Sequence, residues 1–376
     1  MPQPSSSSSR ALNAILPLIA QGQAYEAHQK ARTFASRYQK SGQHDTAIDV
    51  LFQSARELLK AGQTGSGADL TVFLIDVYDT KPEPVTEESR GRLTQLIALT
   101  GPGGSWRKTI IDKGIAWSAK HGPYPAGDPD LQHYVGELLY KEGVYDGAET
   151  RLLAAGKRDS ARTLARVYFD WAQATDSLSS HAGVFALRGT IPYLVNGNIL
   201  AARAFLSAYI SLLPDSIIGA NGTSLPFTAK ASGEQDEVLH VRGQPLLTFS
   251  QLAVRTCQRA QGEHNKIARE AWVRLCGTFQ SRGGVLAAPE VRQALNEIAT
   301  AYFAIPPPRS QNANPFEMLS SMFGGGAPGA GSAPQQPRRI VAPRRRRRVG
   351  GIGLAVHCIG RDRGVRCLDW VCISNG

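Results

Sequence analysis

The sequence predicts an all-α fold, a right-handed α-solenoid of stacked helical hairpins, and three features carry that expectation. Apolar residues recur at three-and-four spacing through most of the first 305 residues. A glycine followed five residues later by an alanine recurs between those stripes. Almost no alternating strand pattern appears before residue 215.

Taken in order, the chain opens on a serine run at residues 5–9, so residues 1–9 are expected to be disordered and the fold to begin at residue 10. Ala27, Ala31, Phe34, Ala35 and Tyr38 draw one helical stripe, Ala47, Ile48, Leu51, Phe52, Ala55, Leu58 and Leu59 a wider one, and Leu70, Phe73, Leu74, Val77 and Tyr78 a third. Between them stand "GQAYEA" at Gly22 and "GQHDTA" at Gly42, with "GVYDGA" at Gly143 and "GNILAA" at Gly197 further on. "GQTGSGA" at Gly62 reads as the same device with one residue inserted. Glycine permits the left-handed conformation that ends a helix, and a small alanine lets the next helix pack close to the one just finished. Turns near residues 22, 42 and 62 give a hairpin period of about forty residues, the range of tetratricopeptide-like and other helical arrays.

The pattern continues through "DPDLQHYVGELLYKEG", where Asp128 or Asp130 can cap a helix with Pro129 in its first turn. "RDSARTLARVYFDWAQA" and "NILAARAFLSAYISLLP" are further helices, the second stopped by Pro214. Near residues 226–245 the text changes to two short alternating runs around Gly233 and Glu234, which read as a small inserted β-hairpin or as a loop. Helices resume with "LLTFSQLAVRTCQRA" and finish at "EVRQALNEIATAYFAI", before the prolines at 306–308 end the fold. Residues 306–376 are rich in Gly, Pro and Arg and read as a disordered tail; the alternative is an error in the chain end such as a retained intron.

The formal charge of +11 concentrates in that tail, which holds the run Arg344, Arg345, Arg346, Arg347 and Arg348. A near-neutral body with a basic arm is not the pattern of a folded face that tracks phosphates. An RNA-associated protein using the arm stays open as an alternative, and predicts salt-sensitive affinity lost on truncation at Gly326. "GPGGSWRKT" at Gly101 lacks the glycine before Lys-Thr and the preceding strand that a phosphate loop needs, and reads as a connecting loop. The histidines are scattered and no paired Cys-x-x-Cys occurs, so no metal is expected. His357, Cys358, Cys367 and Cys372 read as accidental clustering rather than a zinc site. No nucleophile elbow appears, and no enzyme or cofactor is expected. Sparse cysteines fit a reducing, cytosolic or nuclear setting, no secretory leader is expected, and the longest apolar runs fall short of the roughly 20 residues a membrane span needs.

Four blocks resemble a known family: "YEAHQKARTFASRY" at 25–38, "LLKAGQTGSGADL" with "VYD" at 58–79, "GDP" at 127–129, and "PLLTFSQLAVRTCQ" at 245–258. They are similar to the Golgi-to-ER traffic protein 4 family over roughly residues 10–323, ending at "NPFEMLSSMFGGG". The resemblance implies a non-enzymatic cytosolic adaptor in the insertion of tail-anchored membrane proteins, itself not inserted in the membrane. It implies an N-terminal half, 10–155, that docks the targeting ATPase. It also implies a C-terminal half, 156–305, that grips a ubiquitin-like-domain protein, which in turn recruits a co-chaperone carrying the client. For the ATPase face the matching residues are Tyr25, His28, Arg32 and Arg37, with Asp69 on a later helix. Tyr25, His28 and Arg32 are spaced to share an exposed stripe; alternatively Tyr25 staples the turn and the basic residues are solvated. For the second partner the hairpin and Leu246, Leu247, Phe249 and Leu252 are the candidates, with core packing the competing role for each. A generic helical-repeat scaffold of another complex is the rival without these blocks.

Overall fold

The computed structural model describes residues 6–102, 104–218, 222–228 and 235–307. The arginine run and the C-terminal cysteine cluster lie outside them. The first half is α1 (Ser6–Ala20), α2 (Ala24–Lys40), α3 (His44–Lys60), α4 (Thr64–Thr80), α5 (Glu87–Thr100), α6 (Trp106–His121) and α7 (Pro129–Lys141). There follow α8 (Tyr145–Ala155), α9 (Arg158–Ala174), α10 (Leu178–Val195), α11 (Ile199–Leu212) and the short α12 (Asp215–Ile218). A hairpin of β1 (Gly222–Thr228) and β2 (Gln235–Val241) precedes α13 (Pro245–Gln258), α14 (Lys266–Gln280) and α15 (Pro289–Phe303). The architecture is the expected tetratricopeptide-like stack of helical hairpins with one small antiparallel insert.

Five of the turns share one geometry. Gly22, Gly42, Gly62, Gly143 and Gly197 sit at φ of 79°, 76°, 75°, 75° and 74°. The residue after each donates back across the finished helix end, as in Gln23 N to Leu18 O at 2.8 Å and Asn198 N to Tyr193 O at 2.8 Å, which closes a Schellman motif. Five residues after the glycine, Ala27, Ala47, Ala148 and Ala202 are fully buried against the preceding helix.

The turn at Gly62 corrects the reading of an inserted residue. Gly67 holds the fifth position, donating to Gln63 O at 2.9 Å as Ala27 does to Gln23 O. A Cβ there would stand 2.5 Å from Leu59 Cγ and 3.1 Å from Ala55 O. The repeat is therefore in register, with α3 and α4 too close for alanine. Gly67→Ala is expected to cost about 1–2 kcal/mol by overpacking, read by denaturant unfolding; a cost near zero would show that Leu59 simply rotates away.

Two further expectations are amended. Ser6–Ser9 are not disordered but form the first turn of α1, where Tyr38 Oη donates to Ser7 O at 3.1 Å. Pro17 lies inside α1 without ending it. The hairpin runs from Gly222 to Val241, four residues earlier than read, with Gly222 opposite Val241. Pro226 looked like a boundary but is a strand residue opposite Glu237. Gln251 binds both Leu239 N (2.9 Å) and Leu239 O (2.8 Å), so Leu239 turns its backbone away from β1. By the alternation of antiparallel pairs Pro226, two places along from Leu239's partner Ser224, likewise needs no N–H for the ladder.

The forty-residue period reappears as a polar lattice between successive hairpins. Gln39 bonds Thr80 at a separation of 41 residues, Lys113 bonds Asp76 at 37, His121 bonds Asp79 at 42, Arg151 bonds Asp112 at 39 and Asn198 bonds the carbonyl of Gly156 at 42. Burial forms two apolar clusters, one from Ala11 to Val135 and the other from Ala148 to Phe303. They meet at α7, where Leu139 packs against both. Asp128 caps α7 by accepting from Leu131 N at 2.8 Å, with Pro129 as its first residue.

Candidate protein-binding surfaces

Buried alanines on one side of α2 turn its polar side outward. There Tyr25 is 74% exposed, so it staples no turn. His28 Nε2 lies 2.8 Å from Asp69 Oδ2 on α4, and Arg32 bonds the same oxygen. The Arg32 guanidinium also lies 5.6 Å from the centre of the Phe73 ring. The two basic residues are thus fixed by one carboxylate and not merely solvated. Arg37 does not join them. Five residues beyond Arg32 it is roughly 140° round the helix, where it lines a groove of about 420 Å³ beside α1 with Ala14, Lys30 and Phe34.

Burial pushes the Asp69 carboxyl up, but hydrogen bonds from His28 and Arg32 outweigh it and hold it below the usual 3.8. Asp79 is held low in the same way by His121 and Lys120, and Asp130 chiefly by its bond from Lys157. A carboxyl depressed in the folded state contributes stability that is present above its unfolded pKa and lost as pH falls through the folded value. Asp49, pushed up by burial against the pull of Arg92, acts in the opposite sense. Stability is expected to be flat from neutral pH to about 4.5 and to fall below about 4, measured as denaturant midpoint against pH. Asp69→Asn should make the acid decline shallower; an unchanged profile would remove Asp69 from the account.

At the other end, Leu247 and Phe249 are fully buried, Phe249 edge-on to Phe279 at 5.3 Å. Core packing, the role left open for each, is where the structure places them. Leu246 and Leu252 are half-buried, Leu246 lying against α10 at Gly183. Gln244 fastens this junction, accepting from Gly183 N at 2.9 Å and donating to Ser179 O at 2.6 Å. The more open surface is one the sequence did not disclose, a groove of about 500 Å³ between α11, β2 and α13. Leu206, Ile210, Leu239 and Val254 line it, with Arg203 and Arg255. Its walls come from α11, α12, both strands of the hairpin and α13, spread over some fifty positions, so no local pattern announces it.

Among the described residues no alternative chemistry is assembled elsewhere. Arg107, the first of the two basic residues of "GSWRKT", is buried and gives its guanidinium to Glu142 at 2.5–2.8 Å and to Gly101 O at 2.7 Å. Among the described residues no cluster of His, Cys, Asp and Glu is placed to hold a metal, and no helix is long and apolar enough to cross a membrane. Burial pushes the thiol of Cys276 up to about 12 and that of Cys257 up as well, away from nucleophilic character.

The family model described as Golgi to ER traffic protein 4 matches residues 41–323. The blocks at 58–79, 127–129 and 245–258 fall inside that span, and the block at 25–38 precedes it. A Golgi to ER traffic protein 4 from Aspergillus fumigatus is 32% identical over 346 residues, covering 86% of this chain and 94% of its own. One from Schizosaccharomyces pombe is 26% identical over 301 residues, covering 80% and 91%. The crystal structure of C. therm. Get4 aligns with a TM-score of 0.71 at 32% identity, over 85% of this chain and 96% of that one.

Proposed function

Since the chain belongs to the Golgi to ER traffic protein 4 family, we propose that it is a two-ended adaptor whose halves hold different partners. Family membership makes it a non-enzymatic cytosolic scaffold in the targeting and insertion of tail-anchored proteins, working with other components of that pathway. In the finer reading, residues 10–155 dock the tail-anchor targeting ATPase. Residues 156–305 hold a ubiquitin-like-domain protein and, through it, a co-chaperone with its client.

The observation that carries the first arm is the α2–α4 cluster. An exposed tyrosine stands beside a histidine and an arginine pinned by one carboxylate. Tyrosine and arginine are the residues that most often anchor interfaces, and side chains already fixed lose little entropy on binding. For the second arm the support is the half-buried Leu246 and Leu252 and the groove beside the hairpin.

The test is titration of the full chain with each partner. Tyr25→Ala, at a site too exposed to affect folding, and Arg32→Glu should each weaken the ATPase by about 2 kcal/mol, roughly 30-fold, and leave the ubiquitin-like partner unchanged. Arg37→Glu, on the other side of α2, should have a smaller effect. If Arg37→Glu abolishes ATPase binding while Tyr25→Ala is silent, the ATPase sits on the α1 side and the assignment is wrong.

A further inference from the structure

We propose that Trp106 is a further anchor of the ATPase-docking face, carrying it from α2 and α4 on to α6, an inference that rests on the reading that the α2–α4 cluster docks the ATPase. Trp106 is the first residue of α6 and is 46% exposed. A Cβ on Gly65 of α4 would stand 4.0 Å from its Cζ2, and one on Gly104 3.8 Å from its Cδ1, so the indole lies between two residues with no side chain to cover it. The separation from Gly65 is 41 residues, the same step that sets His28 against Asp69 and Gln39 against Thr80. Gly65 and Asp69 are one helical turn apart on α4, and so are Tyr25 and His28 on α2. Tyr25, Gly65 and Trp106 thus make one row across α2, α4 and α6, which pack side by side. The cluster of His28, Arg32 and Asp69 is the next turn along.

Packing alone does not account for this placement. Trp117 and Trp272, the tryptophans that serve the two cores, are closed off from water, whereas Trp106 leaves nearly half of its surface there. A large apolar ring on a fixed helix start, in one row with an exposed tyrosine and beside a held arginine, has the make-up of an interface anchor. Width argues the same way. Packed helices lie about 8–10 Å apart, and a stable interface occupies roughly 800 Å² on each partner, about 28 Å across. Two helices fall short of that and a third reaches it. Aromatic rings stand at both ends of the row, so the ATPase surface that fits presents apolar side chains to α2 and α6 and polar groups to the ion cluster. Exposure by itself would not select Trp106. Tyr124 is also exposed, but it follows the far end of α6, roughly 24 Å along the helix from the row.

The test is titration of the full chain with the ATPase, with fluorotryptophan incorporated into this chain only so that its indoles are followed by fluorine NMR. The resonance missing from Trp106→Phe is that of Trp106. Trp106→Ala is expected to weaken the ATPase at least about tenfold and Trp106→Phe less, with the ubiquitin-like partner and the denaturant midpoint almost unchanged. Tyr124→Ala should be silent. The Trp106 resonance should shift when the ATPase is added and stay in place when the ubiquitin-like partner is added. Wild-type affinity in Trp106→Ala overturns the proposal; if Tyr25→Ala still weakens the ATPase, the α2–α4 reading survives and the face ends at α4. Loss of both partners together with a lowered midpoint overturns it too, because the indole would then only brace α6 against α4. If Trp106→Ala weakens the ATPase while Tyr25→Ala and Arg32→Glu are silent, the α2–α4 reading fails alone and Trp106 stands as an ATPase contact.

Discussion

Replacing Arg188 by methionine is expected to destabilise the chain by about 3–5 kcal/mol. Arg188 of α10 holds Glu149 of α8 with two bonds, Nε to Oε1 at 2.7 Å and Nη2 to Oε2 at 2.6 Å. Tyr168 Oη donates to Glu149 Oε1 at 2.8 Å, and the arginine lies 5.1 Å from the centre of the Trp171 ring. Glu149 is only 8% exposed, so removing its cation leaves a carboxylate with little water to replace it. The pair itself need not be a net source of stability, because desolvating two charges offsets most of their attraction. Arg188→Met with Glu149→Leu should therefore recover most of the loss. The Tyr168 hydroxyl, then unsatisfied at a cost of about 1–3 kcal/mol, should account for much of the remainder, which Tyr168→Phe would restore. Denaturant midpoints at constant m-value measure all three. A single-variant loss below about 1 kcal/mol would mean that water reaches Glu149, and that the network is a surface ion pair.

That network shows what was legible in the sequence and what was not. Helices and turns could be read because their signals are local: a glycine that must take positive φ, and an alanine five residues on that must be small. Where another residue took the role the signal vanished. Gly67 replaces the alanine in one repeat, and Asp176, at φ 50°, replaces the glycine in the turn between α9 and α10. The β-hairpin was visible as a change of pattern, but its ends were not, because a proline in a two-stranded sheet is tolerated wherever its missing N–H faces away from the ladder. Of the site residues, His28, Arg32 and Asp69 converge because a separation near forty places them on adjacent hairpins. Arg37 fails the same helical arithmetic, which was available from spacing alone. Leu247 and Phe249 could not be told from surface leucines, since periodicity gives a face and not what covers it. The groove with Arg203 and Arg255 depends on how several elements meet, and that information is tertiary.

Gly189→Ala is expected to cost about 2–3 kcal/mol, although alanine is the better helix former by roughly 0.5–1 kcal/mol. The steric term decides the sign. A Cβ on Gly189 of α10 would lie 2.1 Å from Phe205 Cζ of α11, and 2.4 and 2.5 Å from two more ring atoms. Phe205 cannot swing aside, being fully buried between Tyr209, stacked at 5.7 Å, and Tyr168, edge-on at 5.8 Å. Relief has to come from moving α11 away from α10, or from trimming the ring. Gly189→Ala with Phe205→Leu should then be more stable than the sum of the separate losses predicts, a coupling of about 1 kcal/mol or more that a double-mutant cycle reads directly. Additive losses would mean that α11 shifts without the ring being the obstacle. The same displacement has a functional consequence, because Leu206 and Ile210, on the floor of the groove, ride on α11. Gly189→Ala should weaken binding at the C-terminal end and leave the α2–α4 surface, in the other apolar cluster, untouched.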